Sequence, residues 1–210
     1  LEPKLPIERY SDDRIFYYLR SEGSLDEAVN NLAENNHPVI ISPIETVYGL
    51  GSEIYKWEVA AATACSILGV NPFNQPNVQE SKSITNEMIY AYKDNPVLEE
   101  GDVLFSNDSY AIFANGNENL KGKPLEEILS TIISPKKGDY IGINAFLPRN
   151  NINFEALQQL RRKIMQKYSI PVTLGFGPRF LHSTGQLHKG GKNNGIFLIL
   201  TQDPSIDIPI

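Results

Sequence analysis

Short apolar runs alternate with amphipathic stretches along the chain, and this alternation predicts strands interleaved with helices. Residues 14–19 (RIFYYL) and 39–44 (VIISPI) have the aromatic and β-branched composition of strands. Ser24 and Glu27, three positions apart, predict a capping box at the start of a helix between these two strands. A connecting helix of about 12 residues favours parallel pairing of the strands through a right-handed crossover.

Two more helices are predicted after the second strand. The first covers residues 51–68, and its second half (VAAATACSIL) has no charge, so we expect neighbouring structure to cover it on most sides. Pro76 suits the first position of the next helix, which is predicted over residues 76–92. These two helices carry most of the candidate chemistry in the first half of the chain.

The polar stretch 93–102 (KDNPVLEEGD) interrupts the periodicity, and we expect it to separate two regions, 1–95 and 96–210. The second region again alternates strands with helices. Its strands are predicted at 103–105, 110–113, 140–147, 171–176 and 195–201, and its helices at 124–133 and 154–168. Both regions therefore have the pattern of an α/β protein.

Composition and charge narrow the class of protein. The 210 residues are 41% apolar with a net charge of −6, which excludes a disordered chain and argues against a nucleic-acid partner. No apolar stretch reaches the ~20 residues of a membrane span, and a single cysteine, Cys65, excludes a disulfide framework. The chain begins at Leu1 with neither an initiator methionine nor a signal-peptide pattern. We expect a piece of a longer cytoplasmic protein that has no membrane partner.

Three polar side chains recur on one side of the helix that Pro76 opens. Gln75, Gln79 and Lys82 are spaced i, i+4 and i+7, so their polar heads can converge on one site. Lys82 also lies at the edge of the apolar face, where an ammonium needs a partner or a solvent-filled pocket. The alternative is a lysine that covers apolar surface with its stem and keeps its charge in water.

The preceding helix places a carboxylate among apolar residues. Glu58 falls inside the stripe that Ile54, Ala61, Cys65 and Leu68 define. A carboxylate at such a position must be paired, hydrogen-bonded or protonated, and a structural carboxylate at a junction or subunit interface explains it as well as a functional one. Cys65 on the same stripe is predicted to be a core thiol.

Residues 175–195 (GFGPRFLHSTGQLHKGGKNNG), here called the glycine-rich segment, form the third candidate feature. They hold six glycines, and no acidic residue occurs from position 156 to position 202. Exposed backbone N–H groups beside cations suit a phosphate, although the order of a Walker A loop is absent. We expect no metal, because no carboxylate accompanies the two histidines; the alternative is a plain surface loop. The basic residues of the segment are Arg179, His182, His188, Lys189 and Lys192.

Residues 71–82 (NPFNQPNVQESK) resemble the signature near the C-terminus of phosphoglucose isomerases. The chain departs from that signature at Asn77, usually Gly, and at Gln79, usually Glu. Three stretches, YSDDRIFYYLR, KWEVAAATACSILGVNPFNQPNVQESK and GFGPRFLHSTGQLHKGG, are similar to the isomerase part of bifunctional transaldolase/phosphoglucose isomerases and together extend from residue 10 to residue 191. The positions that match the signature are Asn71, Phe73, Asn74, Gln75, Val78 and Lys82.

The resemblance implies a fold and a set of roles. Residues 1–95 would be the later part of a sugar-isomerase (SIS) domain, a three-layer α/β/α sandwich, and residues 96–210 a C-terminal α/β extension. Lys82 would assist ring opening, and Gln75 would contact the sugar phosphate. Glu2, within Leu1-Glu2-Pro3, would be the counterpart of the general base in the family's Gly-Glu-Pro motif. No position matches the family's ring-opening histidine.

The function that follows is aldose–ketose isomerisation of glucose 6-phosphate and fructose 6-phosphate by proton transfer through an enediolate, with neither metal nor organic cofactor. Arg179, His182 and Lys189 are expected to bind substrate. The alternative is an SIS-like module that binds a sugar phosphate without turnover, and a third possibility is a piece that supplies dimer contacts. We expect a homodimer, or association with the missing N-terminal part, and only half an active site in this piece.

Overall fold

The computed structural model describes residues 4–74, 76–96, 101–114, 116–181 and 184–203. The chain falls into two compact units, one made of Leu1–Pro76 with Asn151–Ile170 and the other of Asn77–Asn150 with Pro171–Ile210. The third helix lies almost entirely in the second unit and the fifth in the first. The expected regions 1–95 and 96–210 stay a prediction.

The described residues form seven strands and six helices in a mixed α/β arrangement with small sheets. The strands are β1 (Phe16–Arg20), β2 (Val39–Pro43), β3 (Val103–Ser106), β4 (Ala111–Phe113), β5 (Tyr140–Phe146), β6 (Val172–Phe176) and β7 (Gly195–Thr201). The helices are α1 (Asp26–Glu34), α2 (Val47–Leu68), α3 (Pro76–Asp94), α4 (Leu125–Ile132), α5 (Asn151–Tyr168) and α6 (Thr184–Gly190). None of the helices in these ranges is both long and apolar enough to cross a membrane.

The first unit opens with the predicted parallel pair. β1 and β2 pair in parallel from Phe16 opposite Val39 to Arg20 opposite Pro43, which confirms the parallel pairing expected from the length of α1. The C-terminal end of α5 joins the same unit. There the Ser11 hydroxyl donates a hydrogen bond to the Ser169 carbonyl at 3.1 Å.

The predicted capping box is wrong. The residue that caps α1 is Leu25, which offers no side-chain hydrogen bond. Its amide instead donates to the Tyr18 hydroxyl at 3.3 Å, and the Asp26 carboxylate in the first turn pairs with the Arg20 guanidinium at 2.8 Å. Strand β1 therefore stabilises the start of α1 through tertiary contacts, which a local sequence motif does not encode.

Helix α2 starts four residues earlier than predicted because Thr46 caps it. The Thr46 hydroxyl accepts a hydrogen bond from the Gly49 amide at 3.2 Å. Gly69 ends the helix with φ near 68°, a left-handed conformation that glycine adopts without steric cost.

The expectation that neighbouring structure covers α2 is wrong within the described chain. Ile67 and Leu68 are 82% and 73% exposed, and Cys65 is only half-buried. Glu58 is exposed as well, so it does not lie on a buried stripe. The buried residue of α2 is a different carboxylate, Glu53, because the helix contacts the sheet through that side.

The second unit is built on a three-stranded parallel sheet in the order β6-β5-β7. Its central strand β5 is buried from residue 141 to residue 145, and Ile141 and Ile143 have no exposed surface. β7 has the predicted bounds, and β5 and β6 differ from theirs by one residue at one end. A separate antiparallel pair, β3 with β4, precedes this sheet, and Leu104, Leu120 and Ile128 form a small core cluster.

Candidate functional site

The signature-like residues lie at the turn between α2 and α3. The Asn71 carboxamide oxygen accepts a hydrogen bond from the Phe73 amide at 2.8 Å, and this fixes the turn. Pro76 begins α3, and Lys82 stands exposed on that helix. Gln75, Glu2 and His182 lie outside the described residues, so the predicted proximity of Lys82 to Gln75 stays a prediction.

A hydrogen bond joins two of the sequence features that prompted the resemblance. Lys189 of α6 donates from Nζ to Ser81 Oγ at 3.1 Å, and Ser81 is the residue before Lys82. The glycine-rich segment therefore reaches α3, and its Lys189 ammonium group binds the residue that precedes Lys82 in the sequence. Glu80 is two positions from Lys82, on another side of the helix. Exposed ammonium groups such as those of Lys82 and Lys189 can attract an anion such as a phosphate.

His188, next to Lys189, has a different environment. Its Nδ1 lies 2.9 Å from the Tyr140 hydroxyl, and its ring contacts the ring of Phe197 at 4.8 Å between centroids. Burial lowers the pKa of His188 and raises the pKa of Tyr140, because it penalises the charged form of each group. At neutral pH His188 is therefore a neutral hydrogen-bonding ring, and Tyr140 keeps its proton.

The cations of the glycine-rich segment separate to opposite edges of the sheet. Arg179 follows the carboxyl end of β6, whereas His188 contacts Tyr140, the first residue of β5. A strand of the length of β5 spans about 20 Å at 3.3 Å per residue. Arg179 and Lys189 therefore belong to two separate groups of cations.

A carboxylate cluster in the first unit was not among the predicted sites. Glu53 of α2 is 4% exposed, and it accepts hydrogen bonds from the hydroxyls of Tyr17 (β1) and Ser42 (β2), the latter at 2.7 Å. The Lys56 ammonium completes the cluster at 2.6 Å from Glu53 Oε2. It also donates to Ser42 Oγ at 2.8 Å.

This cluster keeps Glu53 ionised. Hydrogen bonds from Lys56, Ser42 and Tyr17, in that order of importance, lower the pKa of Glu53 to about 2 against the desolvation that burial causes. A carboxylate with so low a pKa is a weak base at neutral pH, so the cluster anchors α2 to the β1–β2 pair and does not move protons. The sequence feature that could have indicated this cluster is Ser42, a polar residue within an apolar strand.

Among the described residues, no group of three or more His, Cys, Asp or Glu side chains could hold a metal ion. Comparisons of the chain with protein-family models, with curated proteins and with solved structures find no match. The chemistry of the sites therefore has to be argued from their own residues.

Proposed function

We propose that this chain is part of an aldose–ketose isomerase that interconverts glucose 6-phosphate and fructose 6-phosphate. The observation that supports this most is the hydrogen bond from Lys189 to Ser81. It connects the glycine-rich segment to the helix of the isomerase-like signature, beside the lysine that the resemblance makes functional. A sugar phosphate needs a cationic surface at this point, and Lys82 and Lys189 supply one.

The roles within the proposed reaction are those that the resemblance implies. Glu2 is the base that moves a proton between C1 and C2, and Lys82 assists ring opening and stabilises the enediolate by its charge. Gln75, His182 and Lys189 are proposed to bind the substrate, whereas Arg179, which sequence analysis also assigned to the substrate, belongs to the separate group of cations at the carboxyl edge of the sheet. The reaction requires neither a metal nor an organic cofactor.

The proposed fold is a partial three-layer SIS sandwich followed by a C-terminal extension. The parallel β1-α1-β2 unit and the long helices α2 and α3 support it, since such units build parallel α/β sheets. The exposed apolar residues of α2 favour an assembly in which a second copy, or the part of the enzyme that would precede Leu1, covers them. We propose a cytoplasmic location for this enzyme.

The second candidate is a module that binds a sugar phosphate without turnover. The departures at Asn77 and Gln79 favour it, because a carboxylate that the isomerase signature contains is replaced here by an amide. The presence of both Glu2 and Lys82 favours the enzyme.

An isomerase assay separates these functions. Fructose 6-phosphate formation is measured for the chain and for a longer natural polypeptide that contains it, each with Lys82→Ala. We expect activity in the longer polypeptide and a loss of about 100-fold or more in kcat on substitution, as is typical for a group that acts in proton transfer or charge stabilisation.

Lys93→Ala is the matched control, since Lys93 is also an exposed lysine on α3. It should leave kcat unchanged. Saturable binding of glucose 6-phosphate without turnover would establish the binding module instead. Neither binding nor turnover in the longer polypeptide would overturn both functions.

A further inference from the structure

We propose that the carboxyl edge of the three-stranded sheet, between β5 and β6, is a phosphate-binding site formed by the guanidinium groups of Arg149 and Arg179. This site goes beyond the proposed isomerase function, because it does not involve Lys82 or Lys189. Its ligand is a phosphomonoester dianion, carried by a sugar phosphate or another small metabolite.

The strand order brings two loops together at this edge. From β5 the chain runs to β6 on one side, and from β6 it returns past β5 to β7 on the other side. β5 and β6 pair in parallel, so their carboxyl ends and the loops that follow them meet at the same edge of the sheet, and α/β proteins bind ligands outside the carboxyl ends of their strands. The loops at this edge carry Arg149, three residues after the end of β5, and Arg179, three residues after the end of β6.

Packing between the two loops holds both arginines at this edge. The Arg149 guanidinium carbon lies 5.9 Å from the ring centroid of Phe176, the last residue of β6. Phe146 and Phe180 meet edge to face at 5.3 Å, so the segment that carries Arg179 is fixed against the end of β5.

Gly177 makes this contact possible. Its amide donates to the Ala145 carbonyl at 2.8 Å, and a Cβ at this position would lie 2.6 Å from two atoms of the Phe146 ring. The glycine therefore has a packing role in bringing the two loops together, which explains its place in the segment without invoking flexibility.

Charge and exposure suit a dianion. Both guanidinium groups belong to exposed residues, and neither forms a salt bridge with any residue that the structure describes. Between Tyr140 and Gln202 the sequence contains one acidic residue, Glu155, against eight Arg and Lys residues and two histidines. Two guanidinium forks offer paired N–H donors to the oxygens of a phosphate and match its double negative charge.

The test uses arginine side-chain NMR on the chain titrated with inorganic phosphate and, separately, with glucose 6-phosphate. We expect saturable shifts of the Nε–H signals of Arg149 and Arg179. Joint Arg149→Ala and Arg179→Ala substitution should weaken this binding about tenfold or more, since each lost charged hydrogen bond is worth at least that factor. Tighter binding of glucose 6-phosphate than of phosphate would identify the sugar phosphate as the source of the phosphoryl group; equal binding would point to the phosphoryl group alone.

Arg162→Ala is the control, because Arg162 is exposed on α5 and is part of neither loop. It should leave the affinity unchanged, and Arg149→Lys with Arg179→Lys should give an intermediate loss with native stability. Linear shifts spread equally over Arg162, or an unchanged affinity in the double alanine variant, would overturn the site. A loss of isomerase activity in Lys82→Ala with the arginine signals still saturating would separate this site from the proposed active site.

Discussion

Strand β5 and helix α2 are both apolar, but they differ in burial: the strand is covered by the rest of the chain, and most of the helix is exposed. Residues 141–145 of β5 are all buried, including Asn144. In α2, which is three times as long, the residue that is buried is Glu53, while Ile67 and Leu68 face outward. Hydrophobicity therefore predicts that a segment needs a cover, but it does not say whether the same chain provides that cover.

Strand β5 and helix α2 also differ in the interactions that stabilise them. β5 is stabilised by neighbours on both sides, β6 and β7, and by the removal of isoleucine side chains from water. Helix α2 is attached to the β1–β2 pair by a buried carboxylate with three hydrogen-bond donors. We therefore expect large effects of apolar truncation in β5 and effects that depend on pH in α2.

The largest effect is expected from Ile143→Ala in β5. Ile143 is fully buried, so the loss of its side chain should lower the free energy of unfolding by about 2–5 kcal/mol. Urea denaturation followed by circular dichroism measures this. Ile67→Ala in α2 is the matched control and should cost less than about 1 kcal/mol. Equal losses for the two variants would show that α2 is covered in solution.

A smaller loss is expected from Gly142→Ala in the same strand. A Cβ at this position would lie 2.8 Å from Cδ1 of Phe197 and 3.5 Å from Thr173 Oγ1. The Phe197 ring would have to move, at a cost of about 1–3 kcal/mol. The melting temperature measures the loss, and joint substitution of Phe197 by leucine should recover part of it. An unchanged melting temperature in Gly142→Ala would mean that Phe197 does not pack on this glycine.

Regular patterns made much of this fold predictable. β7 and the parallel pairing of β1 with β2 follow from apolar runs and connection length. The start of α1 does not, because Tyr18 and Asp26 replace the expected cap through contacts made in three dimensions. The assignment of α5 to the first unit is equally invisible to local periodicity.

The sites were less predictable than the fold. Sequence spacing drew attention to Glu58, whereas the buried carboxylate is Glu53, since burial depends on which side of α2 meets the sheet. The glycine-rich segment looked like one cationic surface, but α6 carries Lys189 away from Arg179 to the other edge of the sheet. No local pattern indicated Arg149, because its place beside the loop after β6 depends on the pairing of β5 with β6.

The next smaller effect on the free energy of unfolding is expected from Glu53→Gln in α2, and it should depend on pH. Glu53 has a folded pKa of about 2, below its ordinary value of 4.5, so the stability it contributes is present above pH 4.5 and is lost as the pH falls towards 2. Glu53→Gln should therefore destabilise the protein at pH 7, and the difference from the wild type should vanish near pH 2. The loss should be moderate, because the single amide oxygen of glutamine can replace only one of the two carboxylate oxygens, and the hydroxyl that faces its NH2 group can turn to accept a hydrogen bond instead.

Unfolding free energies measured from pH 7 to pH 2 test this, with Glu58→Gln as the control. Glu58 is exposed on the same helix, so its substitution should leave the stability close to that of the wild type across the range. A constant difference between wild type and Glu53→Gln over the whole range would contradict the assigned pKa.

The smallest effect is expected from Gly51→Ala, and its sign reports on the exposed side of α2. Gly51 lies inside the helix, and a Cβ there would meet nothing within 4 Å. Alanine should then raise the free energy of unfolding by about 0.5–1 kcal/mol, because it restricts the unfolded chain and favours the helix. Gly69→Ala is the opposing control, since Gly69 ends the same helix with φ near 68° and should lose stability on substitution. A thermal melt of the chain should show a higher melting temperature for Gly51→Ala and a lower one for Gly69→Ala. If Gly51→Ala stabilises the chain alone but destabilises the longer polypeptide proposed above, another surface approaches α2 closely at this glycine, and the apolar side of the helix is an interface.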